Sequence, residues 1–345
     1  MIRGRTALAV VISALMLASL SPAGAAPAFT PKKTAWGDPY LRGTWPVDSV
    51  ARTPMQRPPQ YGDRAFLSDA EYAAAVKGAA DMRHRYEIEE KVGKLSVGHW
   101  TEYGTPSRQT SLIVEPANGR LPEMTPEGKR LAAGMKSSWG GTVFDSMADF
   151  NSLDRCITRG LPASMLPFPY NNGVRIFQAP GYVVIQLEIV HETRIIPLDD
   201  RPPLPGRMTG WLGASRGHFE GNTLVIETRN FNGGSPMVIV GPTNQPVPTS
   251  RQLHITERLT ATGPNTLQYE ARIEDPDVMT APWKLSFPWT RNDKYKLYEY
   301  ACHEGNVQLA GYIKVTSPRF AKYRKAHQIT EPNGSAVTVT DARVH

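Results

Sequence analysis

The chain has 345 residues, of which 40% are hydrophobic, and its 39 lysines and arginines outnumber its 32 aspartates and glutamates. The resulting formal charge of +7 is scattered along the chain, so the charge pattern excludes a clustered nucleic-acid-binding patch and we expect no nucleic-acid partner. Thirty prolines and 29 glycines predict many turns and few long helices.

Residues 1–25 are typical of a secretory signal peptide. Arg3 and Arg5 precede an apolar run from Ala7 to Leu20, and small residues follow it. No later run approaches about 18 apolar residues, so the sequence predicts no transmembrane segment. We therefore expect cleavage of the signal peptide and export to the periplasm.

The region after the signal peptide has two parts. Residues 26–60 are rich in proline and predict an extended segment. Residues 61–173 predict a mixture of helices and loops that packs on the rest of the molecule. Within it, Ser68 and Glu71 have the spacing of a capping box, and apolar residues continue at helical spacing to about Glu90.

Two shorter elements follow in the same region. The run Thr110–Val114 predicts a short strand, which Pro116 ends. Thr125 followed by Pro126 predicts a capped helix that runs to about Met135.

From Val174 the hydrophobic period changes to two, which indicates β-strands. Residues 174–315 predict an antiparallel meander because turn-forming residues separate the strands at short intervals. Residues 316–345 predict a basic, partly disordered tail. The predicted strands are Val174–Gln178, Tyr182–His191, Thr193–Leu198, Gly213–Glu220, Asn222–Phe231, Arg251–Ala261, Thr266–Glu274, Pro282–Thr290 and Lys294–His303.

The expected fold is mainly β. A long meander has exposed edges unless it closes, so we expect a lipocalin-like barrel or a strongly curled sheet. The loop-rich, partly helical N-terminal region would pack on this barrel.

Cys156 and Cys302 are the only cysteines in the sequence. In an exported chain, such a pair predicts one disulfide that joins the two halves of the molecule. Cys302, His303 and Glu304 resemble a metal-ligand cluster, but neighbouring strand residues point to opposite faces and a disulfide-bonded cysteine is no thiolate ligand. The sequence has no nucleotide-binding loop either, so we expect neither a metal nor another cofactor.

Charged residues that continue an apolar strand face are the candidates for catalysis, because an unpaired buried ion is costly and implies a partner. By this criterion His191, Glu257, Glu299 and His303 are the candidate catalytic residues. A histidine beside a carboxylate can take up and return a proton. The alternative interpretation is that these residues lie at strand ends or form a structural ion pair.

A second polar group lies in the predicted strand–loop–strand unit around residues 191–216. Arg194, Asp199, Trp211 and Arg216 are the candidate ligand-binding residues, with the arginines holding an anionic or hydroxylated ligand and Trp211 stacking on it. The alternative is that the acidic and basic residues of this loop form a solvated turn.

Six motifs occur in a fixed order and resemble those of a family of exported bacterial proteins to which no activity is assigned. The resemblance covers about residues 40–310, implies a shared fold and export, and carries over no catalytic residue. Separately, Gly43-Thr-Trp45 resembles the Gly-x-Trp motif of lipocalin-like barrels, although the segment that follows departs from the lipocalin pattern. The six motifs are Arg155-Cys-Ile157, Arg194-Ile-Ile-Pro-Leu-Asp199, Ser215-Arg-Gly-x-x-Glu-Gly-Asn-Thr-Leu-Val225, Glu257-Arg258, Glu274-Asp-Pro276 and Ala301-Cys-His-Glu-Gly-Asn306.

Three functions are compatible with these residues. The first is an exported, cofactor-independent enzyme of lyase, isomerase or hydrolase type that acts on a small hydrophobic, aromatic or sugar-like molecule. The second is a lipocalin-like carrier that holds such a ligand without converting it, and the third is a structural envelope protein. Convergence of the polar residues in one pocket would distinguish the first two from the third.

Overall fold

The computed structural model describes residues 29–94, 101–102, 104, 106–140, 143–240 and 245–326. The predicted signal peptide lies outside the described residues, as do residues 327–345 of the predicted basic tail.

The described residues contain twelve strands, which we number in chain order. They are β1 Gly43–Thr44, β2 Ile113–Glu115, β3 Val174–Ala179, β4 Tyr182–Leu187, β5 Thr193–Pro197, β6 Ala214–Glu220, β7 Thr223–Arg229, β8 Pro236–Val240, β9 Gln245–Pro248, β10 His254–Gly263, β11 Thr266–Glu274 and β12 Trp283–Thr290.

These strands form three antiparallel sheets. A four-stranded sheet has the order β1-β3-β4-β5, and a six-stranded sheet has the order β2-β12-β11-β10-β7-β6. Strands β8 and β9 pair as a separate hairpin between β7 and β10 in the chain. Most neighbours in a sheet are also consecutive in sequence, which is the antiparallel meander that the turn residues predicted.

Five α-helices lie in the described residues: α1 Asp69–Lys91, α2 Pro126–Gly134, α3 Cys302–Gly305, α4 Gln308–Thr316 and α5 Ala321–Ala326. The predicted capping box at Ser68 and Glu71 is confirmed, and Thr125 caps α2 by accepting a hydrogen bond from Gly128 N at 2.9 Å. Helix α1 buries none of its residues, so its caps and surface ion pairs matter more to it than packing does.

The alternating strand pattern places one face of the six-stranded sheet in the core. On β11 the residues Leu267, Tyr269, Ala271 and Ile273 are buried. The residues between them point to the other face and are at least partly exposed. This assignment of the two faces of Thr266–Glu274 agrees with the sequence prediction. The large core side chains Trp283, Phe287 and Trp289 of β12 pack on the same face.

The predicted barrel is wrong. The part of the chain that the structure describes is mixed, with about 28% strand and 25% helix, and none of the three sheets in it closes into a barrel or curls strongly. Strands β5 and β6 would have to pair to continue the sheet, but they do not share a ladder. The connecting loop, residues 198–213, contains Pro202, Pro203 and Pro205, which cannot donate ladder hydrogen bonds. This long loop, unlike a two-residue hairpin turn, does not hold its flanking strands in register, so the facing edges of β5 and β6 stay unpaired.

The lipocalin resemblance fails for a related reason. Gly43 and Thr44 form the two-residue strand β1, which pairs only with β3 at the edge of the four-stranded sheet. Trp45 is buried and its indole Nε1 donates to Leu41 O at 2.9 Å. The motif thus anchors an edge strand in the core and closes no barrel.

The last predicted strand, Lys294–His303, is also wrong. Residues 291–301 form no strand, and Cys302 begins the short helix α3. The Glu188 carboxylate accepts a hydrogen bond from Tyr298 N at 2.8 Å and another from the Tyr295 hydroxyl at 2.7 Å. The Glu188 side chain therefore accepts the hydrogen bond from Tyr298 N that a neighbouring strand would otherwise accept.

The predicted disulfide between Cys156 and Cys302 is confirmed, with a Cα–Cα distance of 5.7 Å. It joins the loop before β3 to helix α3, which follows the six-stranded sheet in the chain. Among the described residues, no helix combines the length and the apolar character that a membrane span needs.

Candidate functional site

The open edges of the two larger sheets border a cavity of about 480 Å³, which we call the edge cleft. Strand β5 provides one wall, strands β6 and β7 provide the other, and the loop 198–213 covers part of it. The cleft exists because β5 and β6 approach each other without pairing. Its apolar lining residues are Ile195, Pro197, Pro203, Leu204, Leu212 and Ala214, and its basic lining residues are Arg194, Arg201, Arg216 and Arg229.

Arg194 lies on the inward face of β5, where alternation buries it together with Ile196. Its guanidinium forms a two-point ion pair with Glu257 of β10, with Nη1 donating to Glu257 Oε1 at 2.9 Å and Nη2 donating to Oε2. Both side chains are almost inaccessible to water. This pair joins the four-stranded sheet to the six-stranded sheet below the cleft.

Further hydrogen bonds surround this ion pair, although the buried Arg194 Nε has no hydrogen-bond partner among the described residues. The Tyr269 hydroxyl donates to Glu257 Oε1 at 2.9 Å, and Arg194 Nη2 donates to the hydroxyls of Ser215 at 3.2 Å and Thr228 at 3.3 Å. Burial raises the pKa of Tyr269, and the neighbouring Glu257 carboxylate raises it further. Tyr269 therefore stays neutral and acts as a hydrogen-bond donor.

The loop at the mouth of the cleft is organised around Asp199. Arg201 Nε donates to Asp199 Oδ2 at 2.8 Å, and Arg216 Nη1 donates to Asp199 Oδ1 at 2.7 Å. The hydrogen bond from Arg201 lowers the pKa of Asp199, and the charge of Arg216 adds to this effect. Two arginines thus share one carboxylate at the mouth.

Arg229 differs from the other three arginines. It is exposed at the end of β7, lines the cleft, and makes no side-chain hydrogen bond or ion pair with any residue that the structure describes. Glu227 also lines the cleft, but its carboxylate hydrogen-bonds to His254 Nε2 rather than to Arg229. The positive charge of Arg229 is therefore available to a ligand.

The four candidate catalytic residues do not converge. Glu257 is buried against Arg194, whereas His191, Glu299 and His303 are exposed. None of the four is among the residues that line the edge cleft. The structure therefore does not bring His191 and Glu257 together, and a catalytic role for these residues stays a prediction.

The position of His191 has a local cause. Strand β4 ends at Leu187, and Val190 and His191 have φ values of +55° and +42°, in the left-handed region. These angles turn the chain and break the alternation on which the prediction depended. Glu299 and His303 are displaced because residues 291–301 form no strand.

Three of the four candidate ligand-binding residues lie together at the edge cleft. Arg194 and Arg216 line it, and Asp199 holds Arg216 in place. Trp211 does not line it. Its ring packs on Gly234, where an added Cβ would lie 2.8 Å from the indole.

Sequence reasoning missed Arg229. The residue lies at the end of a strand on its more exposed face, where a charged side chain is ordinarily a solvated surface group. Only the approach of β5 and of the loop 198–213 makes this position part of a cleft. No sequence pattern in β7 distinguishes it from the other exposed arginines.

No group of three histidine, cysteine, aspartate or glutamate side chains lies close enough to hold a metal ion within the described part of the chain. Comparisons with protein-family models, with curated proteins and with solved structures find no match to this chain.

Proposed function

We propose that this chain is an exported binding protein for a small amphipathic anion, which it holds in the edge cleft. The observation that supports this most directly is the exposed guanidinium of Arg229 in a cavity with largely apolar walls. Ligand sites commonly combine an apolar lining with a few fixed polar groups, and a cavity of about 480 Å³ has an adequate size.

The charges at the cleft favour an anion. Arg194, Arg201, Arg216 and Arg229 provide four positive charges at the cleft, and Glu257, Asp199 and Glu227 provide three negative charges, so one positive charge is in excess. Arginine binds a carboxylate through two parallel hydrogen bonds, which makes a carboxylate the best-matched head group. The exposed side chain of Ile195 and the half-exposed Leu204 would contact the apolar part of the ligand.

The enzyme hypothesis stays a prediction with less geometric support. General acid–base catalysis needs a titratable group within hydrogen-bond reach of the reacting atoms. No histidine lines the edge cleft, and the Ser215 hydroxyl is engaged by Arg194 and Thr228. A fixed array of donors beside apolar walls supports binding better than it supports proton transfer.

The test is calorimetric titration of the purified protein with octanoate and with 1-octanol, which share an apolar chain and differ in head group. We expect octanoate to bind and 1-octanol to bind at least about ten-fold more weakly, because a charged hydrogen-bonded pair contributes roughly 1.5–3 kcal/mol. Arg229→Ala should weaken the binding of octanoate by a similar factor.

Arg251→Ala is the matched control, because Arg251 is also exposed and without a described partner but does not line the cleft. Equal binding of the two probes would contradict the proposal. Equal weakening by Arg229→Ala and Arg251→Ala would also contradict it, because it would show a non-specific effect of surface charge.

A further inference from the structure

A second cavity, of about 270 Å³, lies on a different part of the molecule beside the disulfide. We call it the aromatic groove. Trp139 and Phe168 line it, with a centroid distance of 6.1 Å between their rings, and Arg159 is its only charged lining residue. Its other walls are apolar and include Leu112, Leu153, Leu166, Pro167, Pro236 and Val238.

Arg159 is a cation without a counter-ion among the described residues. Its Nη1 donates to Leu166 O at 2.8 Å, its Nη2 donates to Pro167 O at 3.4 Å, and its guanidinium carbon lies 4.3 Å from the ring centre of Phe168. These contacts orient the guanidinium but do not neutralise it. Its remaining N–H groups have no described acceptor.

Burial of Arg159 is therefore costly. Removal from water lowers the pKa of Arg159 to about 10, although the charge of Glu192 opposes this shift. Glu192 forms no ion pair with Arg159; it accepts a hydrogen bond from Ser164 Oγ at 2.6 Å, and its own burial raises its pKa. A bound anion would provide the compensation that the protein lacks.

The aromatic wall of the groove is held in place from behind. Asp154 accepts hydrogen bonds from Ser138 N at 2.9 Å, from Ser138 Oγ at 2.6 Å and from Asn151 Nδ2 at 3.0 Å. These bonds fix the turn that carries Trp139, yet the Trp139 side chain is 51% exposed. A large aromatic side chain that is rigidly placed and half exposed is suited to stacking on a ligand.

The disulfide stabilises the opposite side of this region. Cys156 lies three residues before Arg159, and Cys302 lines a neighbouring cavity of about 400 Å³ together with Tyr170 and Tyr300. The two cavities share Trp139 and Leu153, so the groove continues along an aromatic surface past the disulfide.

We propose that the aromatic groove is a second binding site, whose ligand is a planar aromatic carboxylate. The ring would stack on the exposed face of Trp139, and the carboxylate would accept hydrogen bonds from Arg159, which lies over Phe168. A single uncompensated arginine matches one negative charge, so a monocarboxylate fits better than a phosphate dianion. The volume, near the lower end of the range for ligand sites, favours one or two rings.

The test is titration with 2-naphthoate and with its neutral counterpart 2-naphthamide. We expect naphthoate to bind at one site. Arg159→Met keeps the apolar stem but removes the charge, so it should weaken naphthoate binding at least about ten-fold. Trp139→Ala should weaken the binding of both probes a few-fold, because the stacking contact is lost. Arg251→Ala, outside both cavities, should change neither.

A circular-dichroism melt establishes that each variant is folded, and Trp139→Ala supports the test independently because Trp139 is largely exposed. Glu192→Gln removes a carboxylate whose charge acts on Arg159, and it should strengthen naphthoate binding. Failure of naphthoate to bind, unchanged binding in Arg159→Met, or equal binding of naphthamide would overturn the proposal. Loss of naphthoate binding in Arg229→Ala but not in Arg159→Met would also overturn it, because the ring would then occupy the edge cleft.

Discussion

Arg194 and Glu257 belong to different sheets, and their two-point ion pair is buried at the place where those sheets meet. The pair lies under the edge cleft and makes further hydrogen bonds with Tyr269 and Thr228. Glu257 is thus the buried charge that its apolar strand face indicated, but its partner is an arginine rather than a histidine. Its immediate role in this structure is to fix the relative position of β5 and β10.

Removal of one member of this ion pair should destabilise the fold strongly. We expect Arg194→Met or Glu257→Gln to lower the free energy of unfolding by about 3–5 kcal/mol, because each leaves a buried group unpaired. The double variant Arg194→Met/Glu257→Gln should lose less than the sum of the two single losses. Urea denaturation followed by tryptophan fluorescence measures all three, and strictly additive losses would show that the two residues do not interact.

The disulfide should contribute mainly by restricting the unfolded chain. It closes a loop with a sequence separation of 146 residues. In the chain-entropy description, a loop of this length stabilises the fold by about 4–5 kcal/mol. We expect Cys156→Ser/Cys302→Ser to lose stability of this order in urea, with no further loss when a reductant is added. Two reactive thiols in the denatured, unreduced wild-type protein would contradict the bond itself.

The carboxylate of Glu102 should make stability depend on pH. The Tyr295 hydroxyl lies 2.8 Å from Glu102 Oε1 and 2.7 Å from Glu188 Oε2, and one hydroxyl hydrogen cannot serve both oxygens. Burial raises the pKa of Glu102, the hydrogen bonds from Asn172 oppose this, and the charge of Glu188 adds to it. The folded state therefore binds this proton more tightly than the unfolded state does.

The sign of the effect follows from that difference. Protonation of Glu102 contributes its full stabilisation below the ordinary glutamate pKa of about 4.3. That contribution decreases as the pH rises through the raised pKa that Glu102 has in the folded state. Glu102→Gln mimics the protonated form, so it should raise the melting temperature at pH 8 and change it little at pH 4. Glu123→Gln, at an exposed carboxylate, is the control. A lower melting temperature of Glu102→Gln at both pH values would contradict this account.

Gly217 of β6 should be required for the close approach of the two sheet edges. A Cβ at this position would lie 2.9 Å from Ile196 Cγ2 and 3.0 Å from Leu198 Cδ2. We expect Gly217→Ala to destabilise the fold by about 1–3 kcal/mol, because the strands or the aliphatic side chains must shift. Thermal unfolding measures this loss.

Gly78 in helix α1 offers the matched control, because nothing lies within 4 Å of a Cβ added there. Gly78→Ala should stabilise the helix by about 1 kcal/mol through helix propensity alone. Equal destabilisation of the fold by both substitutions would show that the contact at Gly217 is not the cause.

Local features of this protein were predictable from the sequence. The capping box at Ser68, the cap at Thr125 and the two faces of β11 each depend on residues a few positions apart, and the structure has all of them. The disulfide was predictable because Cys156 and Cys302 offer only one intramolecular pairing. These predictions need no knowledge of how distant segments meet.

The candidate site was predictable only in part. Arg194, Asp199 and Arg216 lie close together in the sequence around one loop, and the structure keeps them together. Glu257 lies inside β10 on its buried face, as strand alternation predicted, whereas His191, Glu299 and His303 lie beyond true strands. Alternation failed at His191 because the left-handed backbone turns the chain there.

The sequence by itself determined where most strands and helices form and which faces the strands bury, because hydrophobic period and capping are local properties. The tertiary structure alone decided that β5 and β6 approach without pairing, that Arg194 meets Glu257, and that Arg159 faces Trp139 and Phe168 without a counter-ion. Those outcomes depend on the packing of segments far apart in the chain, which alternation along a single strand does not encode.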